Sequence, residues 1–263
     1  RDALTQVEGI LNTAEEENND PQYIKGLFYW MRYQQVIEEK SDSLIWDRMM
    51  SEKEKGSAAR KAVWTSFVAS FIQQYYENNR WQIGNRTQVE ITPNDFKTWD
   101  ARTFLDQIKT YYIASLDAPE SLQQMSTKDF GSIIVKGNVD QMYRPTLYDI
   151  LAFRAITFFQ NSANILPEPR NEFQLTTDQG YAEAADFVKI DFESTNPQNS
   201  QHQIVRLFQD LIKFHEEANN FYALTDANLA RLSFVHQQLK QEDRYRRHLE
   251  KLIKETPDKP YKG

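Results

Sequence analysis

A histidine followed by acidic residues is how zinc proteases begin their metal motif, and His215-Glu216-Glu217 starts that way. The motif needs a second histidine one helical turn later, so that two imidazoles face one ion. Position 219 is Asn, and the zinc reading fails there. His215 falls one turn after Leu211, and His236 lies between Leu232 and Leu239, so both read as packed side chains on apolar stripes. The run Glu15-Glu16-Glu17 offers carboxylates for calcium or for acid–base work. Three consecutive helical positions point in different directions, however, and a solvated face is what they make. Arg244, Arg246, Arg247, Lys251 and Lys254 gather toward the C-terminal end of the last helix, where cations complement the helix dipole. The chain has no cysteine, which excludes disulfides, thiol nucleophiles and thiolate metal sites. It also lacks G-x-S-x-G, a phosphate loop and G-x-G-x-x-G. The expectation is a protein that is not an enzyme, with no catalytic residues, no cofactor and no metal.

Two features remain that could do something other than chemistry. Trp30 and Trp64 sit on helical stripes and read as core, whereas Trp81 and Trp99 flank an irregular stretch and are the candidates for a binding surface. Arg154 comes one turn after Ile150 and two after Leu147, in the middle of an apolar stripe. An unpaired guanidinium is costly to bury, so Arg154 must reach the surface or meet a carboxylate. Asp100 and Asp149 are the candidate partners, with Asp100 preferred, and the trio reads as a structural clamp.

The elements that position these residues are helices almost throughout. Leu4, Val7, Leu11 and Ala14 make a first stripe, and Asp20-Pro21 opens a second helix with an acidic cap and a tolerated early proline. That helix has two apolar faces, Ile24, Leu27, Phe28 and Met31 on one and Tyr23, Trp30, Tyr33 and Ile37 on the other, so it lies between neighbours. Ser41 or Asp42 opens a third helix ending near Gly56. Ser57 caps a fourth, whose stripe is Trp64, Phe67, Val68, Phe71, Ile72 and Tyr75. Helical spacing stops at Asn78. Later helices are marked by Phe104, Ile108, Tyr111 and Tyr112, and by two capping boxes. One box is Ser126 to Asp129 with Met125 as a staple; the other is Thr146 to Asp149 after Arg144-Pro145. Ile204, Leu207, Phe208 and Leu211, then Leu229, Leu232 and Leu239, then Tyr245, Leu249 and Leu252 carry the last three helices.

This pattern predicts an all-α fold of irregular antiparallel helix pairs, stacked as a solenoid-like, tetratricopeptide-like bundle without a sequence period. One helical domain is expected over 1–255, with sub-bundles 1–78, 99–163 and 200–255 joined by irregular segments 79–98 and 164–199. The tail 256–263 reads as a linker to a following domain, and Arg1-Asp2-Ala3-Leu4 reads as the start of an excised mature fragment. With 40% hydrophobic and 26% charged residues the 263-residue chain can bury a large core. A net charge of −7 argues against a phosphate backbone as partner, so no nucleic acid is expected. No apolar run is long enough to span a bilayer, so no membrane contact is expected of this fragment itself.

Several stretches resemble the N-terminal helical region of bacterial alpha-2-macroglobulin-like proteins, particularly the very large ones of the Bacteroidetes type. They are Asn79-Arg80-Trp81 with Arg86-Thr87, then Trp99-Asp100-Ala101-Arg102, and the run from Tyr143 to Ala155, which follows that region's Y-R-P-T-L-Y-D-x-L-A-x-R-A pattern without a gap. Ala185 to Lys189 and Leu229 to His236 extend the likeness. The resemblance implies export to the bacterial cell envelope, periplasmic or anchored at the outer membrane. It implies a body downstream with a protease bait region and, in many members, a Cys–Gln thioester, which cannot lie in a chain without cysteine. The implied role is a non-catalytic scaffold or docking module of a protease-trapping protein. Its partners would be other domains of the same chain, proteases and envelope proteins. Two rivals stand beside it: a free-standing tetratricopeptide-like peptide-binding scaffold, and a SusD-like glycan-binding lipoprotein with exposed aromatic platforms.

Overall fold

The computed structural model describes residues 2–38, 41–87, 94–135, 137–162, 169 and 171–255. It is all-helical, with 71% helix, and no strand forms among the described residues. The chain divides into two compact units, the first holding residues 1–138 and 146–155 and the second 139–145 and 156–263. This division does not follow the sub-bundles 1–78, 99–163 and 200–255 expected from the sequence.

In the first unit, α1 (Asp2–Glu16) and α2 (Asp20–Ile37) form an antiparallel hairpin. Val7, Leu11 and Ala14 of α1 are buried against Ile24 and Leu27 of α2. The helices approach so closely that a Cβ on Gly26 would come within 2.8 Å of Leu11 Cδ2, which only glycine avoids. The cap of α2 is Asn19, whose side chain accepts from Gln22 N at 3.2 Å, and Asp20 becomes the first helical residue with Pro21 behind it. The expected cap was thus one residue late. The two-faced pattern of α2 is realised in its first half, where it also packs on α3 (Asp42–Glu52) and α4 (Ala58–Gly84); Ile37 at its end is exposed.

Ser57 caps α4 by accepting from Arg60 N, and Gly56 before it turns the chain with φ +82°, a conformation that suits glycine. On the α4 stripe Trp64, Val68 and Ile72 are buried, while Phe67, Phe71 and Tyr75 are half-buried. The helix runs on to Gly84, six residues past the point where the apolar spacing lapses at Asn78. Two asparagines bond back along its last turns. Asn79 and Asn85 turn their amides back to the carbonyls of Tyr75 and Trp81, at 2.8 and 3.0 Å, and Ile83 anchors the last turn fully buried. Of the expected irregular segment 79–98, residues 88–93 lie outside the described residues, and Phe96–Thr98 forms a single 3-10 turn.

The unit continues with α5 (Ala101–Ala114), packed along α4, and the short α6 (Pro119–Gln124). The box expected at Ser126 opens no helix. Ser126 pairs with Thr146 in an isolated antiparallel bridge, and its hydroxyl accepts from Lys128 N in a tight turn, so the cap serves a turn instead. The box at Thr146 does start a helix, α7 (Leu147–Ser162): Asp149 accepts from Thr146 N at 2.9 Å and returns its own N–H to Thr146 Oγ1 at 3.3 Å. Met125 accepts from Leu147 N at 2.9 Å just beside it. The unit boundary falls inside α7, after Ala155.

The second unit contains α8 (Thr177–Gly180), α9 (Ala184–Phe187), α10 (Ser200–Glu217), α11 (Phe221–Leu239) and α12 (Glu242–Glu255). The segment 171–199, expected as a plain connection, is packed: Phe173, Phe187 and Phe192 are buried. Glu172 gathers it by accepting from the amides of Asn196 and Asn199. Residues 163–168 and the expected linker 256–263 lie outside the described residues. No described helix is long and apolar enough to cross a membrane.

Candidate functional site

In the first unit the candidate clamp residues are committed to helix ends and helix–helix bonds. Asp100 caps α5, accepting from Thr103 N at 2.8 Å, and Asp149 closes the Thr146 box at the start of α7. Arg154 meets neither of these carboxylates. It lies along the surface and donates from Nε to Ser66 Oγ at 3.0 Å and from Nη2 to Ser70 Oγ, tying α7 to α4 through two hydroxyls of one α4 face. The expected ion pair is replaced for a physical reason. An exposed guanidinium keeps its solvation and needs no counter-charge, and serines one turn apart match the spacing of its fork.

The two tryptophans part company. Trp81 is 86% exposed on the last turns of α4, whereas Trp99 is 3% exposed. Trp99 stands edge-on to Trp46 and Phe104 at 5.7 and 5.3 Å, and its carbonyl accepts from Arg86 at 2.6 Å. Trp99 is core, and only Trp81 presents a ring to solvent.

The strongest polar feature of this unit is one that stripe reading passed over. Arg60, 4% exposed, donates from both terminal nitrogens to Glu15, the Nη2 bond measuring 3.2 Å, and its guanidinium lies 4.0 Å over the ring of Tyr23. Tyr23 donates to Glu52 at 3.0 Å, and Glu52, 2% exposed, is met by Arg48 and Lys55 at 2.9 and 3.1 Å. Arg48 in turn stands over Trp30 at 5.3 Å. Four helices are thus joined by one chain of charges and rings. Burial, then the neighbouring Glu52, raises the Tyr23 hydroxyl to about 12. The hydrogen bond from Arg60 lowers Glu15 against the opposing effect of burial. Glu15 therefore has a structural partner, unlike its exposed neighbours Glu16 and Glu17. The sequence did carry a signal: Arg60 lies one turn before Trp64, at the head of the α4 stripe.

In the second unit His215 is 1% exposed, packed in α10 as its place on the stripe implies. No group of three or more His, Asp or Glu able to hold a metal occurs among the described residues. The dominant polar group is Arg231, 1% exposed in the middle of α11. Its Nε donates to Asn228 Oδ1 at 2.9 Å, and Nη1 to the carbonyls of Ala182 and Gly180 at 2.9 and 3.3 Å, while the guanidinium faces Phe187 at 4.5 Å. Its acceptors are all neutral, and burial lowers it to about 10. Asp226, on the same helix, takes Arg144 at 3.0 Å.

The basic residues of α12 are spread over ion pairs rather than focused on one point. Arg244 meets Asp178 and Lys251 meets Glu183, each at 2.7 Å, and Arg246 reaches Asp243 and Glu250. The Arg244 and Lys251 pairs hold the helix to the segment around Asp178 and Glu183, while those of Arg246 stay within α12. No family model matches the chain, and no curated protein or solved structure is similar to it at a significant level.

Proposed function

We propose that the chain is a non-catalytic helical scaffold or docking module of a cell-envelope alpha-2-macroglobulin-like, protease-trapping protein. The observation that carries this reading is where the polar residues of the family-like stretches are spent. Arg86 donates to a carbonyl, Asp100 and Asp149 cap helices, Arg144 pairs with Asp226, and Arg154 bonds α7 to α4. Each serves architecture. Hairpins such as α1–α2 and α10–α11 are the kind of unit that tetratricopeptide-like solenoids stack, and the scaffold role uses that geometry. The glycan-binding rival loses one of its two platforms with the burial of Trp99.

The test is an immunoblot of fractionated source cells with an antibody raised against this 31.0 kDa chain. The expected result is an envelope-fraction polypeptide far larger than the chain, which shortens when an external protease is added. A cytosolic band of the chain's own size would end the proposal.

A further inference from the structure

The face of α2 that reads Tyr23, Trp30, Tyr33 and Ile37 is buried only in its first half. Toward the helix end Tyr29, Val36 and Ile37 stand 44, 80 and 52% exposed, and half-buried Tyr33 stacks on Tyr29 with ring centroids 6.4 Å apart. Helical spacing puts Tyr33, Val36 and Ile37 on one side with Tyr29. Ile10 of α1, 43% exposed, adjoins that side, since a Cβ on Gly26 would lie 3.9 Å from its Cγ2. A contiguous aromatic and aliphatic patch on the outside of a hairpin marks an interaction surface.

The charges beside the patch are sorted by helix. Those of α1 are Asp2, Glu8, Glu15 and Glu16, every one acidic. Arg48 takes Glu8 and Arg60 takes Glu15, while Asp2 and Glu16 are exposed and meet no base among the described residues. Beyond its first residue α2 carries Lys25 and Arg32, both basic, and neither meets an acid among the described residues.

We propose that this outer face of the α1–α2 hairpin is a homodimer interface, in which α2 of one copy lies antiparallel on α1 of a second across a two-fold axis running along the helices.

A face made of two antiparallel helices can meet itself in two ways. A two-fold axis across the helices lays α2 on α2 and α1 on α1, base on base and acid on acid. An axis along the helices lays α2 on α1, and the charges then meet their opposites. That axis also fixes the register, because a pure rotation cannot slide one copy along it. Leu11 stands level with Gly26 in the hairpin. Lys25 therefore comes level with Asn12 of the second copy, one turn from Glu16, and Arg32 comes level with Thr5, within a turn of Asp2. The aromatic and aliphatic side chains fill the middle. Helices of 15 and 18 residues give a footprint of about 25 Å by about 20 Å, so roughly 1,000 Å² is buried in all, the low end for a specific interface. Such an area supports a weak, reversible dimer, and the pairing stands on these residues alone, whatever larger protein the hairpin serves.

Sedimentation equilibrium of the whole chain, from about 1 to about 200 μM, tests the pairing. The expected result is a reversible monomer–dimer equilibrium with a Kd of about 10–100 μM. Val36→Glu, at an exposed position that leaves the fold and its circular dichroism unchanged, should raise that Kd at least about tenfold by burying an unpaired charge. Lys25→Glu should weaken the dimer about three- to tenfold, and adding Glu16→Lys should bring it back to within about twofold of the parent. A chain that stays monomeric throughout leaves this face to a different partner and overturns the proposal. So does a dimer that Val36→Glu leaves intact, which would be built elsewhere. Failure of Glu16→Lys to restore the Lys25→Glu variant overturns the laying of α2 on α1.

Discussion

The hairpin α1–α2 of the first unit and the hairpin α10–α11 of the second turn the chain with the same chemistry. Asn18 and Asn219 sit in the left-handed region with φ 52° and 53°. Asn19 and Asn220 follow, each returning its N–H to a carbonyl five residues back, on Ala14 at 2.8 Å and on His215 at 2.9 Å. Each then caps the next helix with its side chain. The arginines buried within the two units do not match. Arg60 is held by a carboxylate, and although burial alone lowers it, the hydrogen bond and charge of Glu15 outweigh that and raise its pKa. Arg231 has only neutral acceptors and is lowered. The turn is solved locally, by residue types adjacent in sequence. Compensation of a buried charge is solved by whatever the tertiary structure brings, and the two units received different answers.

The largest expected effects test whether the two interiors are equally firm. Phe104→Ala in α5 and Phe208→Ala in α10 each remove a ring that is 0% exposed, and each should cost about 3–5 kcal/mol. Phe67→Ala, on the half-buried part of the α4 stripe, should cost less than about 3 kcal/mol. All five tryptophans lie in the first unit, so denaturant titration followed by tryptophan emission reports that unit, and amide exchange reports the second. A loss under about 1 kcal/mol at Phe208 would mean that the second unit is loosely packed.

Next come the arginines. Arg60→Met removes two charge-assisted bonds and leaves Glu15, itself half exposed, to water; a loss of about 2–4 kcal/mol is expected. Arg231→Met orphans two carbonyls but relieves a buried charge that has no carboxylate at bonding distance. It should cost at least about 1 kcal/mol less than Arg60→Met. If Arg231→Met proves the costlier change in parallel urea titrations, the carbonyl bonds outweigh the charge and the contrast between the units collapses.

Alkaline titration sharpens the same contrast in the first unit. Tyr23 is neutral in the fold up to about 12, against 10.0 when free, so the fold holds a proton that the unfolded chain has lost. That contribution is intact below the free value and disappears as pH rises through the folded one. Stability should fall between those limits, and Tyr23→Phe should flatten the fall. An unchanged slope in Tyr23→Phe, measured by urea unfolding across that range, would show that the hydroxyl facing Glu52 is not the group responsible.

Much of this was legible in the sequence where the cause is local. The Thr146 box, the Ser57 cap and the stripes of α1, α4 and α10 all form as their spacing implies. The Thr176–Gln179 box of α8 obeys the same rule and could have been read from its residues. What escaped depends on neighbours distant in sequence. Glu15 and Arg60 are 45 residues apart, and nothing in either stretch names the other. Arg154 and Ser66 are 88 apart, and serine is too common a residue to nominate itself as a partner. Trp99 is a core residue because Trp46 and Phe104 surround it, although its flanking segment is irregular. The extension of α4 escaped because its last turns carry a single buried apolar anchor, Ile83, among polar residues, so no apolar stripe marks them.

The smallest expected effect bears most directly on the shared turn. Left-handed backbone costs an ordinary residue roughly 1–2 kcal/mol, and asparagine tolerates it better than alanine does. Asn18→Ala and Asn219→Ala should each lose about 1 kcal/mol, whereas Asn18→Gly and Asn219→Gly should stay within about 0.5 kcal/mol of the parent. The two positions share their dihedral angle, their backbone bonds and the capping asparagine that follows, so their losses should agree. Arg60 and Arg231 provide the control, because neither touches the dihedral preference of the turn. Paired measurements at both sites, by tryptophan emission for Asn18 and by exchange of α10 and α11 amides for Asn219, decide the matter. Equal alanine losses with silent glycines would show that the turn's energetics travel with its sequence, independent of the charges buried nearby. A loss at Asn219 well above that at Asn18 would instead tie the second turn to the packing of His215, whose carbonyl receives the Asn220 N–H.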